Sequence, residues 1–138
     1  MKILIGGSMS FADKMIEARW TLEQLGHEVK LSPDTDYFMQ HAKDKMSFEE
    51  ELKFCKETDI MRKFFDEIAT IDWMLFLNYD RKWISWYIGT SVLMEIGIAF
   101  FLKKKIYLIS PIDTTQSYAL EVMETNPIII DGDLNKIQ

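Results

Sequence analysis

Glu95 is the residue whose type and setting point most directly to chemistry. It lies in Val92-Leu93-Met94-Glu95-Ile96-Gly97-Ile98-Ala99, a segment that is otherwise apolar. A carboxylate buried there without partners would be costly, so two readings stand. On spacing alone the default is an exposed glutamate on the outer face of a helix. The alternative is a carboxylate held at a crevice, where desolvation sharpens it as a nucleophile or acid, a role found in enzymes that cleave glycosidic bonds. Gly6-Gly7-Ser8 near the N-terminus also has two readings. Gly7 could let a ligand approach the backbone, with Ser8 and Ser10 donating hydrogen bonds to a phosphate or hydroxyl, or the segment is simply a tight strand-to-helix turn. It lacks the glycine spacing of a dinucleotide fingerprint and of a P-loop, which disfavours NAD and ATP cradles.

Gly89-Thr90-Ser91 leads into the Glu95 segment, and Asp72 and Asn78 flank the apolar run Trp73 to Leu77. As structural residues, Asp72 and Asn78 would cap the ends of that run. Tyr79, Trp83, Trp86 and Tyr87 crowd one polar loop. Their rings suit either a packed interface, which composition puts first, or stacking on a base. Cys55 and the methionines fall at apolar helix positions and read as core filling. Lys103 to Lys105 read as a solvated helix end, where positive charge suits the dipole.

The elements that position these residues follow from periodicity. Lys2 to Ile5 reads as a strand stopped by Gly6-Gly7, and Met15, Ile16, Arg19, Trp20, Leu22 and Leu25 carry a helix from about Phe11 to a stop at Gly26. His27 to Leu31 alternates as a second strand. A weak helical pattern runs through Tyr37, Phe38 and His41, and Ser47 with Glu50 forms a capping box for a helix reaching Ala69 and broken near Thr58. Trp73 to Leu77 is a strand covered on both faces. A helix over about Val92 to Leu102, a strand at Ile106 to Ile109, a short helix through Tyr118, Leu120, Val122 and Met123, and a brief strand at Pro127 to Ile130 complete the chain. Strands alternating with helices predict an α/β fold, a small doubly wound five-stranded parallel sheet of order 2-1-3-4-5, flavodoxin-like or Rossmann-like. The ligand crevice of such a sheet lies at the carboxyl ends of strands 1 and 3. That places the loop after Gly6, the loop from Asn78 to Ser91 and Glu95 together.

Composition narrows the field. The 138 residues fit a single domain over 1–138, and apolar residues at 48% against 28% charged are those of a folding, globular chain. Sixteen Lys and Arg against 22 Asp and Glu leave a net charge of −6 and a pI near 4.9, which argues against a nucleic acid polymer and anionic lipid as partners. No apolar run approaches the roughly 20 residues of a membrane span. One cysteine and two histidines (His27, His41) leave no internal disulfide and little for a metal site. The short N-terminal run reads as a strand rather than a signal segment, and a cytoplasmic location is expected. Nine Phe, five Tyr, four Trp and nine Met are an excess left to explain.

Four stretches together resemble the nucleoside 2-deoxyribosyltransferase superfamily, which includes deoxynucleoside 5′-monophosphate N-glycosidases. They are Lys2-Ile-Leu-Ile-Gly-Gly-Ser-Met-Ser, Leu25-Gly-His-Glu-Val, Ile71-Asp-Trp-Met-Leu-Phe-Leu-Asn, and Tyr87-Ile-Gly-Thr-Ser-Val-Leu-Met-Glu-Ile-Gly-Ile-Ala followed by Lys104-Lys-Ile-Tyr. The most specific part is the glycine loop leading to Glu-Ile-Gly-x-Ala and the Lys-Ile-Tyr strand. The resemblance implies a five-stranded parallel sheet and a nucleoside or nucleotide substrate whose N-glycosidic bond is hydrolysed or whose 2-deoxyribosyl group is transferred. It maps the catalytic nucleophile onto Glu95, nucleotide contacts onto Gly7 and Ser8, and the loop holding the sugar or 5′-phosphate onto Gly89 and Ser91. With Ser10 and Asn78 these make up the expected substrate site. It implies no metal or organic cofactor, and a homodimer or larger homo-oligomer in which neighbours complete the site. The transferase pattern Asp-x-Gly-Thr-x-x-Glu is altered here, since Tyr87-Ile88 precede Gly89 and five residues separate it from Glu95. Asp59 and Asp66 are out of register with the acid that the family carries before its third strand. Two competing functions share the expected fold: a noncatalytic nucleotide-binding or assembly protein, and an N-glycosidase acting on a nicotinamide dinucleotide.

Overall fold

Alternation along the central strands decides which helices cover which side of the sheet. In the computed structural model, which describes residues 1–32, 35 and 46–138, strand β1 (Lys2–Gly7) pairs in parallel with β2 (Glu28–Leu31) on one side and β3 (Trp73–Leu77) on the other. β4 (Lys105–Leu108) and β5 (Ile128–Ile129) extend the sheet beyond β3, giving the order β2-β1-β3-β4-β5. This is the predicted order. Successive side chains of a strand point to opposite faces, and the core splits accordingly. Leu4, Met74, Phe76, Ile106 and Leu108 face one way. Ile3, Ile5, Leu75, Leu77 and Tyr107 face the other.

Helix α1 (Ala12–Gln24) covers the second face with Met15, Ala18 and Leu22, reached from β1 through a single 3-10 turn, Met9–Phe11. Gly26 follows α1 at φ 92°, a left-handed stop that glycine adopts without a Cβ penalty. The first face is covered by α3 (Ile60–Thr70) through Phe64 and Ile68, by α4 (Thr90–Phe101) through Val92, Ile96 and Ala99, and by α5 (Ala119–Glu124) through Val122. Ahead of α3 runs α2 (Phe48–Thr58), opened by Ser47, whose hydroxyl accepts the Glu50 N–H at 3.1 Å. The break expected near Thr58 falls at Asp59, which takes a left-handed conformation (φ 51°, ψ 38°) between the two helices. Asp72, at the other end of β3 from the crevice, accepts the Lys2 N–H at 2.8 Å and so fixes the edge of β1. The weak helical pattern through Tyr37, Phe38 and His41 lies outside the described residues. Among the described residues no helix is long and apolar enough to cross a membrane.

Candidate active site

β1 ends in two glycines, and what fills the space they leave defines the site. A Cβ on Gly6 would meet the Phe76 ring at 2.9 Å and Glu95 Oε2 at 3.4 Å. The phenyl ring and the carboxylate therefore converge on the volume that any side chain at position 6 would need. Gly7 has φ 143°, and a Cβ there would stand 2.8 Å from the Leu77 carbonyl oxygen. Both glycines are thus required by the backbone and its neighbours, as the turn reading has it.

Above this floor lies a cavity of about 350 Å³. Gly6, Gly7 and Ser8 line one wall, Gly89, Thr90, Ser91 and Glu95 a second, and residues of α2 and α3, including Glu51, Cys55 and Phe64, a third. Glu95 is half-buried, with Oε2 itself buried. It is one turn beyond Ser91, so the two share a face of α4 and stand roughly 5–6 Å apart at Cβ. The outer-face reading of Glu95 gives way to an inward one, since Glu95 lines the cavity and its Oε2 lies 3.4 Å from where a Cβ on Gly6 would stand. Ser8 caps the 3-10 turn, its hydroxyl 2.8 Å from that of Ser10 and accepting the Ser10 N–H at 3.3 Å.

Two of the expected substrate contacts are not on this wall. Ser10 turns to a separate open cleft of about 550 Å³, shared with Lys14, Asp80 and Trp86. Asn78 is 1% exposed, and its amide is used within the protein. Nδ2 donates to the carbonyls of Ser110 and Pro111, each at 3.0 Å, and Oδ1 accepts the Ser110 N–H at 2.9 Å. Asn78 therefore clamps the end of β3 to the chain leaving β4, the capping role of the simpler reading. Asn78→Ala is expected to lower stability by about 2–3 kcal/mol, because it leaves buried backbone groups unpaired. Thermal unfolding measures that loss. An unchanged midpoint would show that the clamp contributes nothing.

Among the described residues, two charged side chains that line the cavity went unmarked in the sequence. Glu51 brings a second carboxylate to the wall from α2, and Arg81 brings a guanidinium from the loop after β3. Only the packing of α2 against α3 and the course of that loop bring them in, so no spacing rule points to either. Arg81 exchanges backbone hydrogen bonds with Ile84 in both directions at 2.9 Å, and its guanidinium lies 5.1 Å over the Tyr87 ring. The four loop aromatics divide. Tyr79 packs edge-on against Phe11 at 5.6 Å, and Tyr87 packs against the core and lines the cavity, whereas Trp83 and Trp86 are exposed. Burial pushes the Tyr79 and Tyr118 phenols above the ordinary range. Cys55 lines the cavity rather than the core, and while Met15 and Met74 are core residues, Met61, Met94 and Met123 are exposed.

No family model matches the chain, and no curated protein sequence matches it. Among solved structures the chain is similar to the CMP N-glycosidase BcmB of Clostridium botulinum, with a TM-score of 0.52 and 18% identity over 94% of this chain and 85% of that one. At that identity the likeness is one of fold. The α/β sheet that the sequence resemblance implies is the sheet observed.

Proposed function

We propose that this chain is an enzyme that breaks the N-glycosidic bond of a small nucleoside or nucleotide, with Glu95 as the nucleophile. The observation that carries the reading is the Glu95 carboxylate, held on an otherwise apolar helix and turned into a cavity over Gly6 at the crevice end of the sheet. Two further points support it: the four stretches resembling the nucleoside 2-deoxyribosyltransferase superfamily, and a fold shared with a protein that is a CMP N-glycosidase.

In the proposed reaction a Glu95 carboxylate oxygen attacks the anomeric carbon and forms a glycosyl ester. The carbon–nitrogen bond breaks, and the base departs with the electron pair and takes up a proton. Water then attacks the same carbon, freeing the sugar and restoring the carboxylate; a second base attacking in place of water would complete a transfer. Gly7 and Ser8 border the ligand from β1, Gly89 and Ser91 hold the sugar end, and Glu51 is a further carboxylate among the described residues that line the cavity. No metal or organic cofactor enters these steps. The test is a panel of deoxynucleosides, ribonucleosides, their 5′-monophosphates and a nicotinamide dinucleotide, with free base followed by chromatography. Base released from one substrate class is the expected result. Saturable binding of all of them with no base formed would instead make the chain a nucleotide-binding protein.

The exposed face of α4 suits a second copy of the chain. Met94, Gly97 and Phe101 lie along it, with Phe101 79% and Met94 45% exposed, and Glu95 is the one charged residue of the helix. A Cβ on Gly97 would meet nothing within 4 Å. Two such helices crossing antiparallel at Gly97 would set each Met94 against the other's Phe101, the self-complementary pattern that a two-fold interface requires. Ser91 continues that face to the cavity, so the second copy would close its rim. Sedimentation is expected to give twice the chain mass for the wild type and the monomer mass for Phe101→Glu. A monomeric wild type overturns the interface. The single cysteine supports a cytoplasmic location.

A further inference from the structure

We infer that the open cleft beside Trp86 is a second ligand site, one that takes a small organic cation of the alkylammonium class. Among the described residues the cleft, of about 550 Å³, shares no lining residue with the cavity around Glu95, so its ligand is independent of the reaction proposed there. It opens on the α1 side of the sheet, where Tyr79 packs edge-on against Phe11 and Trp86 adds a further aromatic wall. Two carboxylates line it, Asp13 from the first turn of α1 and Asp80 from the loop after β3. The one ammonium on its described lining, Lys14, is paired with Glu17 at 3.4 Å. The charge left over is negative, in a domain whose own net charge is −6. That balance repels an anion and draws a cation.

The rings decide what kind of cation fits. Among the described residues no group of three or more His, Cys, Asp or Glu could hold a metal ion, and indole and phenol rings offer a bare metal ion little. An alkylammonium suits both parts of the lining, because ring faces attract its charge and cover its methyl or methylene groups while the carboxylates neutralise it. The setting is also built in advance. The Asp80 carboxylate accepts the Trp86 backbone N–H at 3.0 Å, and the Tyr87 N–H donates to the Tyr79 carbonyl at 2.9 Å, so the loop is closed twice across its base. Asp80 and Trp86 are thereby held as neighbours. Trp86 has φ 52°, a conformation that a side-chain-bearing residue keeps where its surroundings impose it, commonly at ligand clamps and active sites. A carboxylate and an aromatic residue fixed side by side before a ligand arrives lose little freedom when it binds.

Choline and its uncharged isostere dimethylbutanol, with carbon in place of the quaternary nitrogen, are the probes. Each is titrated into the full isotope-labelled chain and followed by nuclear magnetic resonance on the backbone amide signals and on the Trp86 indole, identified by its loss in Trp86→Leu. Choline is expected to shift the Trp86 indole and the Asp80 amide saturably, with the isostere at least about tenfold weaker. Trp86→Leu removes the ring, and Asp80→Asn removes the charge while keeping an oxygen to accept the Trp86 backbone N–H. Each should weaken choline by about fivefold to thirtyfold, the range of a cation–π contact, and the asparagine variant carries the test if the leucine variant fails to fold. A Trp86 indole that choline leaves unmoved would overturn the proposal. So would equal binding of choline and the isostere, unchanged choline affinity in both variants, or tighter binding of inorganic phosphate at the same signals. A lipid headgroup carries the same ammonium, so the chain is also sedimented with phosphatidylcholine vesicles; it is expected to stay in the supernatant, and pelleting would overturn the assignment to a free cation.

Discussion

Glu95→Gln is expected to reduce base release by three to six orders of magnitude, roughly the loss seen when a catalytic nucleophile is removed. Glutamine has nearly the shape of glutamate, so it fills the space over Gly6 and leaves the packing of Phe76 undisturbed. An amide oxygen is a far weaker nucleophile than a carboxylate oxygen, so the glycosyl ester does not form. The effect should therefore appear in kcat, with substrate affinity kept. The fold should not suffer. The amide keeps the volume of the carboxylate, so the unfolding midpoint should change far less than the rate. Burst-phase chromatography of released base and a thermal melt of the same preparations check both halves. Base release that survives in Glu95→Gln would remove Glu95 from the chemistry, whatever its position.

The fold was legible because its signals are local. The alternating strand at β1, the continuous apolar run of β3 and the stops at Gly26 and Asp59 each follow from a few neighbouring residues. α4 and β4 each begin earlier than expected, at Thr90 after Gly89 and at Lys105 after the left-handed turn at Lys103. The site was legible only in part. Gly7, Ser8, Gly89, Ser91 and Glu95 come together because the sheet order alone determines which loops meet. Asn78 shows the limit of that logic. It stands at the correct end of β3, yet its side chain satisfies the chain leaving β4 instead of facing the cavity. Glu51 and Arg81 show the converse, since they enter from a helix packing and a hairpin that leave no periodic trace. The excess of aromatic residues resolves in the same way. Some fill the two cores, Tyr87 shapes the cavity, and Phe101 and Trp83 are exposed.

The two glycines that close β1 should separate stability from activity when each is changed to alanine. Gly7→Ala forces a Cβ into a backbone with φ 143° and to within 2.8 Å of the Leu77 carbonyl oxygen. That oxygen belongs to β3, which is paired with β1 through Gly7 and Leu77, so neither strand can yield without breaking the ladder. A loss of about 2–4 kcal/mol follows from the strained conformation and the overpacking together, a large share of the 5–15 kcal/mol that holds a domain folded. Gly6→Ala meets a different obstacle. Its Cβ reaches the Phe76 ring at 2.9 Å, and that ring is fully buried with no room to retreat. The strain should cost about 1–3 kcal/mol, and the ring or the carboxylate beside it must shift. A displacement of that kind at a reacting group costs on the order of a hundredfold in rate. Gly7→Ala should thus be read mainly in the melt, and Gly6→Ala mainly in kcat/KM measured well below its unfolding midpoint. Full activity in a folded Gly6→Ala chain would show that the position of Glu95 does not depend on the missing side chain at residue 6.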